Sequence, residues 1–320
     1  MRRIIIKDKI YGKSEITSPV IIDLLNSKSI HRLKKISQFG IPDEFYHLKN
    51  FTRHEHSVGV MFLLKLLKAS EEEQIAGLLH DVSHTAFSHV IDWVVGSGET
   101  EDFQDINHKR YLESSNIKDI LEKYGYSLER VTNYKIFTLL EKSSPDLCAD
   151  RVDYALREFS LKTARLLVSR LTNFNGEILF KNKESASVFA HSYLDKQIKH
   201  WGGFEAVSRY RIFGNVLRLA LDKKAINFDD FWSSDEHVLK KIKLANIPEI
   251  NKLLSILKKK SLNGLFISSL VVYKKFRYVD PKFISGDGFI RLSEIDEKFK
   301  LMLKEAEEWN KKGIRVPVLI

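Results

Sequence analysis

Six of the eleven histidines fall between Arg53 and His108, so more than half of the imidazole chemistry of a 320-residue chain sits in one short window. The window reads RHEHSVGV (Arg53–Val60), AGLLHDVSHTAFSHVID (Ala76–Asp92) and NHK (Asn107–Lys109). Histidine is the usual metal ligand and the side chain that moves protons near neutral pH. Aspartate interleaved with it is what a divalent-metal site needs. A fold that uses this cluster must bring several segments to one point, and the hydrophobic pattern says that those segments are helices. Apolar residues recur three and four apart over Val58–Lys68, Glu71–Leu79 and Asn116–Tyr124, and again over Val188–Gln197. That is the period of a helix with one buried face. Ser70 before Glu71-Glu72-Glu73 supplies a capping side chain and an acidic first turn.

Extended segments are few. Ile4–Ile6 and Glu177–Phe180 read as strands, and Asn175-Gly176 predicts a tight turn closing a hairpin over Leu171–Phe180. Phe276–Val279, before Asp280-Pro281, and Ile314–Leu319 are expected to form another small sheet. No Pro/Gly-rich linker divides the chain, and a soft boundary lies near Ser160–Asn175, where the candidate site residues stop.

Composition limits the partners. A net charge of +10 suits an anionic one, either nucleotide phosphates or a nucleic-acid backbone. Runs such as Lys258–Lys260 read instead as solvated helix faces, so charge alone does not decide. The single Cys148 excludes an internal disulfide framework and a multi-cysteine zinc site. No run approaches the roughly 18 apolar residues that cross a bilayer. The apolar start is broken by Lys7, Asp8 and Lys9, so no secretory leader is expected and the cytoplasm is the expected location.

Spacing sharpens the cluster. His80 and His84 are four apart and would share a face on one helix, whereas Asp81 would point about 100° away from His80. A single ion reached by both members of the His80-Asp81 pair therefore needs ligands from another segment, for which His56 and Asp150 are candidates.

His56, His80-Asp81 and Asp150 match the H…HD…D pattern, and the chain resembles the HD superfamily of metal-dependent phosphohydrolases. The resemblance is fuller toward its deoxynucleoside triphosphate (dNTP) triphosphohydrolase branch, the sterile-alpha-motif-and-HD type. That branch has R-L-x-x-I-x-Q-x-G, matched at Arg32–Gly40, and R-x-E-H-S-x-G-V, matched at Arg53–Val60. A-G-L-x-H-D-x-x-H-x-x-F-S-H is matched through His89, and D-x-x-D-Y by Asp150, Asp153 and Tyr154. The resemblance implies a mostly α fold: a helical HD bundle with small peripheral β-hairpins and an α-helical C-terminal extension, all-α in class. Residues 1–160 would form the core with its N-terminal segment, and 161–320 a mainly helical region packed on it.

The resemblance also implies one divalent ion (Mn, Fe, Zn, Ni, Co or Mg) held by His56, His80, Asp81 and Asp150. His84, Asp92 and His108 would be the acid–base group, with Asp92 orienting His84. Arg53, His89, Arg151 and Tyr154 would contact substrate. The chain departs from the family at Lys109, where glutamate is common after the histidine equated with His108. Asn26, His31 and Lys34 stand where a nucleotide-gated allosteric site would want Asp, Gln and Arg. Arg209 and Arg211, in Trp201–Leu219, could reach phosphate. The expected activity is hydrolysis of dNTPs to deoxynucleoside and triphosphate, in a homo-oligomer as family members commonly assemble. A phosphodiesterase or nuclease acting on single-stranded nucleic acid, and a non-catalytic nucleotide sensor, remain open alternatives.

Overall fold

Thr52 starts the helix that carries His56. Its hydroxyl accepts from Glu55 N at 3.1 Å, and the Glu55 carboxylate accepts from Thr52 N at 2.8 Å, a reciprocal capping box. In the computed structural model, which describes residues 2–317, this helix runs over Arg53–Leu66. It begins ahead of the expected Val58 because Arg53, His56 and Ser57 are buried although polar, so the apolar period misses its first turn. The next helix spans Glu71–Leu79 as its spacing predicts, with Ser70 Oγ accepting from Glu73 N at 3.1 Å. The two pack closely at Gly77, where a Cβ would come within 2.4 Å of Leu64 Cδ1. The helix Ala149–Glu158 lies against the first of them. Val60, Leu64, Leu78, Val152 and Leu156 share one core with Phe189 and Tyr193, from the helix Lys183–Lys196.

Three small sheets correct the all-α expectation. Ile4–Asp8 pairs antiparallel with Gly12–Ile16, and the positive φ of Gly12 (80°) serves the turn. Leu171–Phe174 and Glu177–Phe180 form the hairpin predicted from Asn175-Gly176, both of which have positive φ. That hairpin continues into Lys282–Ser285 and Gly288–Arg291. The third sheet pairs Ile314–Pro317 with Ile267–Val272, not with Phe276–Val279. Residues 276–279 are irregular because Arg277 bonds Gln197 and Glu101 in place of a ladder partner. The end of the expected Ile314–Leu319 strand, Val318–Leu319, lies outside the described residues. Among those described, no helix is long and apolar enough to cross a membrane.

A second core positions the loop after His80-Asp81. Phe87 lies edge-on to Phe213 of the helix Phe204–Asp222, with centroids 4.9 Å apart, and Ala86 N donates to Phe231 O at 2.7 Å. Asp235 completes the hold, its two oxygens accepting from Phe87 N and Ser37 N at 2.8 Å each. Burial pushes the Asp235 carboxyl up to about 6 despite those hydrogen bonds. The folded carboxyl then binds its proton more tightly than the unfolded one at 3.8, so its contribution to stability falls as pH rises from 3.8 to 6. The stability difference between wild type and Asp235→Asn, read from urea unfolding, is expected to shrink across that window. A difference constant across it would remove the account.

Candidate metal centre

The His80-Asp81 pair sits where a helix stops. Glu71–Leu79 ends with His80 as its C-cap, and the chain turns at once, Val82 N donating to Leu79 O and His84 N to Asp81 O at 3.0 Å each. His80 and His84 therefore do not share a helical face. The turn is held by Phe87 and Ser88, at φ 64° and 46°, a left-handed conformation that non-glycine residues adopt only when their surroundings impose it. Ending the helix there lets adjacent residues aim at one place, as a regular helix would not.

Each candidate imidazole is oriented through its Nδ1. His80 Nδ1 donates to Gly77 O at 2.7 Å, and His56 Nδ1 donates to Asp153 Oδ2 at 2.8 Å. Those partners place the Nδ1 protons, so Nε2 is the nitrogen that each ring turns toward the cluster. The two Nε2 atoms stand 3.2 Å apart, with Asp150 Oδ1 2.9 Å from that of His56 and 3.5 Å from that of His80. Asp81 oxygens lie 3.7 and 3.5 Å from the same atoms. Lone pairs crowded this closely repel unless a proton or a cation sits among them, so the donor set fits a divalent ion. Burial opposes a charged ring at His80, yet the Asp81 and Asp150 carboxylates outweigh it and hold His80 up at about 9. His56 is raised against burial by Asp150, Asp153 and Asp81. Asp81 is held well below the usual carboxylate range, against burial, by Arg53, His80 and His84.

Behind His56 lies a network whose roles the D-x-x-D-Y motif did not disclose. Asp153, fully buried, also accepts from Arg157 Nε and from the Tyr11 hydroxyl, each at 2.7 Å. Arg157 reaches on to Asp8 at 2.9 Å, so the N-terminal hairpin braces His56. Partners of this kind commonly change metal affinity about 10–100-fold. Asp153→Asn is expected to weaken Mn²⁺ binding by roughly that factor, measured by titrating metal-free protein. An unchanged dissociation constant would show that Asp153 does not orient His56.

The other predicted residues are placed as follows. His84 is buried, with Nε2 3.2 Å from Asp81 Oδ1; burial, then the Arg53 charge, lowers it to about 3, so the ring is neutral. Asp92 does not orient it. Asp92 instead bonds His89 Nδ1 at 3.1 Å and accepts from Phe103 N at 3.0 Å. His108 is engaged at both ring nitrogens, by the Ser83 hydroxyl at 2.8 Å and by Tyr134. Arg53 meets a carboxylate, Asp81 Oδ2 at 2.7 Å, and the Ser88 hydroxyl at 3.0 Å. Arg151 donates to Asp146 O at 2.7 Å and to Lys142 O at 3.1 Å, and Tyr154 bonds the Tyr193 hydroxyl. Arg209 is not available to phosphate: it is wholly buried and donates to Phe45 O and Leu257 O at 2.7 Å each. Arg211 bonds Pro317 O at 2.7 Å.

His80, Asp81 and Asp150 open into a cavity of about 760 Å³, lined also by Arg53, His84, His89, His108, Arg151 and Tyr154. That volume suits a small-molecule ligand. Sequence reasoning missed a large part of its wall. Phe39, Tyr46, Trp201 and Tyr210 give it an aromatic side, and Glu101, Lys274, Lys275 and Arg277 a charged one. His200 lines the cavity between Glu158 at 2.7 Å and the Tyr46 hydroxyl at 2.8 Å. Only the run Lys274-Lys275-Phe276-Arg277 carried a signal, as a knot of cations beside an aromatic residue.

Comparison with known proteins bears on this geometry. A family model described as "HD domain" matches residues 53–154. The uncharacterized protein YdhJ of Bacillus subtilis is 36% identical over 98% of this chain and 99% of its own length. The metal-dependent phosphohydrolase cns2 of Cordyceps militaris is 32% identical over 77% of this chain and 75% of its own. Human deoxynucleoside triphosphate triphosphohydrolase SAMHD1 is 28% identical over 38% of this chain and 23% of its own.

Proposed function

This chain belongs to the HD-domain family of metal-dependent phosphohydrolases, and from that premise we propose that its substrate is a dNTP, cleaved to the deoxynucleoside and triphosphate. The observation that carries the reading is the meeting, at one cavity, of the His56–His80–Asp81–Asp150 cluster with a neutral, buried His84. The aromatic side suits a base, the volume a nucleotide. The ordered motifs around the cluster and the partial likeness to a dNTP triphosphohydrolase lend further support.

His56, His80, Asp81 and Asp150 would hold the ion. A bound divalent cation supplies a lowered pKa for water and neutralises phosphate charge. His84, with Nε2 3.2 Å from Asp81 Oδ1, would take a proton from the attacking water and pass it to the leaving 5′ oxygen of the deoxynucleoside. Asp92 fixes His89, whose free Nε2 meets a phosphate oxygen. His108, bound at both nitrogens, supports the loop through Ser83. Arg53 holds Asp81 anionic and in place, while Arg151 and Tyr154 border the substrate.

The test is a panel of each dNTP, the ribonucleotides and labelled single strands, incubated with Mn²⁺, Mg²⁺, Co²⁺ or Ni²⁺ in turn. Triphosphate release from a dNTP supports the proposal. Shortened strands with intact dNTPs would replace it with a nuclease, and tight nucleotide binding without turnover would replace it with a sensor.

A further inference from the structure

We propose that the segment Lys274–Arg277 is a binding wall for a chain of phosphates, with Lys275 and Arg277 as its contacts and Glu101 aiming Lys274 and Arg277; the phosphate chain as ligand rests on the nucleotide reading above.

The segment leaves the strand Ile267–Val272, lines the cavity and then enters the strand Lys282–Ser285. Its backbone is pinned. Asn310 Nδ2 donates to Lys274 O at 3.0 Å, and Arg277 N donates to Gln197 Oε1 at 3.2 Å. Gln197 Nε2 in turn donates to Asn310 Oδ1 at 3.2 Å, joining the two anchors. Irregular backbone held this way presents its side chains in fixed directions without regular structure.

The cations of the segment outnumber the carboxylate they pair with. Glu101, 2% exposed, is paired by both Lys274 and Arg277, so one carboxylate faces two cations. Lys274 is itself 8% exposed and stands 4.6 Å from the Tyr210 ring centroid. Lys275, between them, lines the same cavity and has neither an ion pair nor a hydrogen bond among the described residues. The Arg277 guanidinium spends one nitrogen on Glu101 and finds no other acceptor among the described residues. Within the segment three cations stand beside one paired carboxylate, and the exposed Lys275 acts on Asp105 of the same cavity by charge alone, without an ion pair, which leaves its ammonium available to a ligand. A phosphate chain supplies several oxyanions, and the free edge of a guanidinium suits paired oxygens.

A pure staple, tying this segment to the body of the protein, would need Glu101, Lys274 and Arg277 but not Lys275. Lys275 therefore decides between the two readings.

The experiment titrates the full chain with inorganic triphosphate by calorimetry, comparing wild type with Lys275→Ala and Arg277→Gln, and follows dNTP kinetics and thermal unfolding in parallel. Lys275→Ala is expected to weaken triphosphate binding about tenfold and to raise KM for a dNTP with kcat and Tm retained. Arg277→Gln is expected to weaken it at least as much. Wild-type affinity in both variants, loss of affinity only together with loss of folding, or no triphosphate binding by the wild type would each overturn the wall. If the wild type binds triphosphate through these residues yet cleaves no dNTP, the substrate reading fails and the wall stands. If it cleaves dNTPs and Lys275→Ala has wild-type KM, the wall fails and the substrate reading stands.

Discussion

Replacing Asp81 by alanine is expected to abolish phosphate cleavage, lowering kcat/KM by about 10³-fold or more, some 4 kcal/mol of transition-state stabilisation. Asp81 has three roles at once. It contributes oxygens to the cluster, 3.5 Å from His80 Nε2 and 3.7 Å from that of His56. It accepts from Arg53 at 2.7 Å, and it faces His84 at 3.2 Å. Removing it strands the buried Arg53 charge, and breaking a buried pair on one side costs about 3–5 kcal/mol. Asp81→Asn separates the effects, since it keeps the volume and a hydrogen-bond acceptor while removing the anion. Both variants are expected to purify with little metal and to lose stability by stranding the Arg53 charge, the alanine variant more because it also removes the hydrogen-bond acceptor and leaves a void. Elemental analysis, turnover and chemical unfolding would check this together. Full metal content with wild-type turnover in Asp81→Ala would sink the assignment of this cluster as the catalytic centre.

The second large effect is expected at a glycine packed against a buried ion pair. Gly59 lies on the His56 helix, and a Cβ there would fall 2.0 Å from Arg157 Nη2 and 2.2 Å from Asp153 Oδ1. Neither neighbour can give way, because Arg157 is held by Asp8 and Asp153, and Asp153 by His56 and Tyr11. Helix propensity alone favours alanine over glycine by about 1 kcal/mol. Overpacking and disruption of the buried ion pairs oppose that by about 3–5 kcal/mol, and they win. Gly59→Ala is expected to be destabilised by several kcal/mol and, with Asp153 displaced, to bind Mn²⁺ more weakly. A variant as stable as wild type, following propensity, would show that the two helices separate freely and that the contact does not matter.

How far the molecule can be read from its letters differs from part to part. The helix Glu71–Leu79 is readable because its buried face is apolar from Ile75 onward and Ser70 marks its start. The start of Arg53–Leu66 is not, because the residues it buries there are the polar ones of the site. The hairpin at Asn175-Gly176 is readable from local turn chemistry, while its continuation into Lys282–Ser285 joins strands a hundred residues apart. Pairing at such a distance leaves no local trace.

The same division runs through the site. Residue type and order by themselves picked out His56, His80-Asp81 and Asp150, which the fold brings together in one cluster whose donors could hold a metal ion. Spacing could not say that the chain turns at once after His80 so that His80 and Asp81 aim at one place, nor that Asp92 serves His89 in place of His84, because both depend on a turn held by Phe213, Phe231 and Asp235. Only the tertiary structure decided that Tyr11 braces His56 through Asp153 and that Lys275 and Arg277 line the neighbouring cavity. The physical reason is that local sequence specifies backbone conformation over a few residues, whereas a binding site is made by side chains whose segments meet only when a shared core is buried.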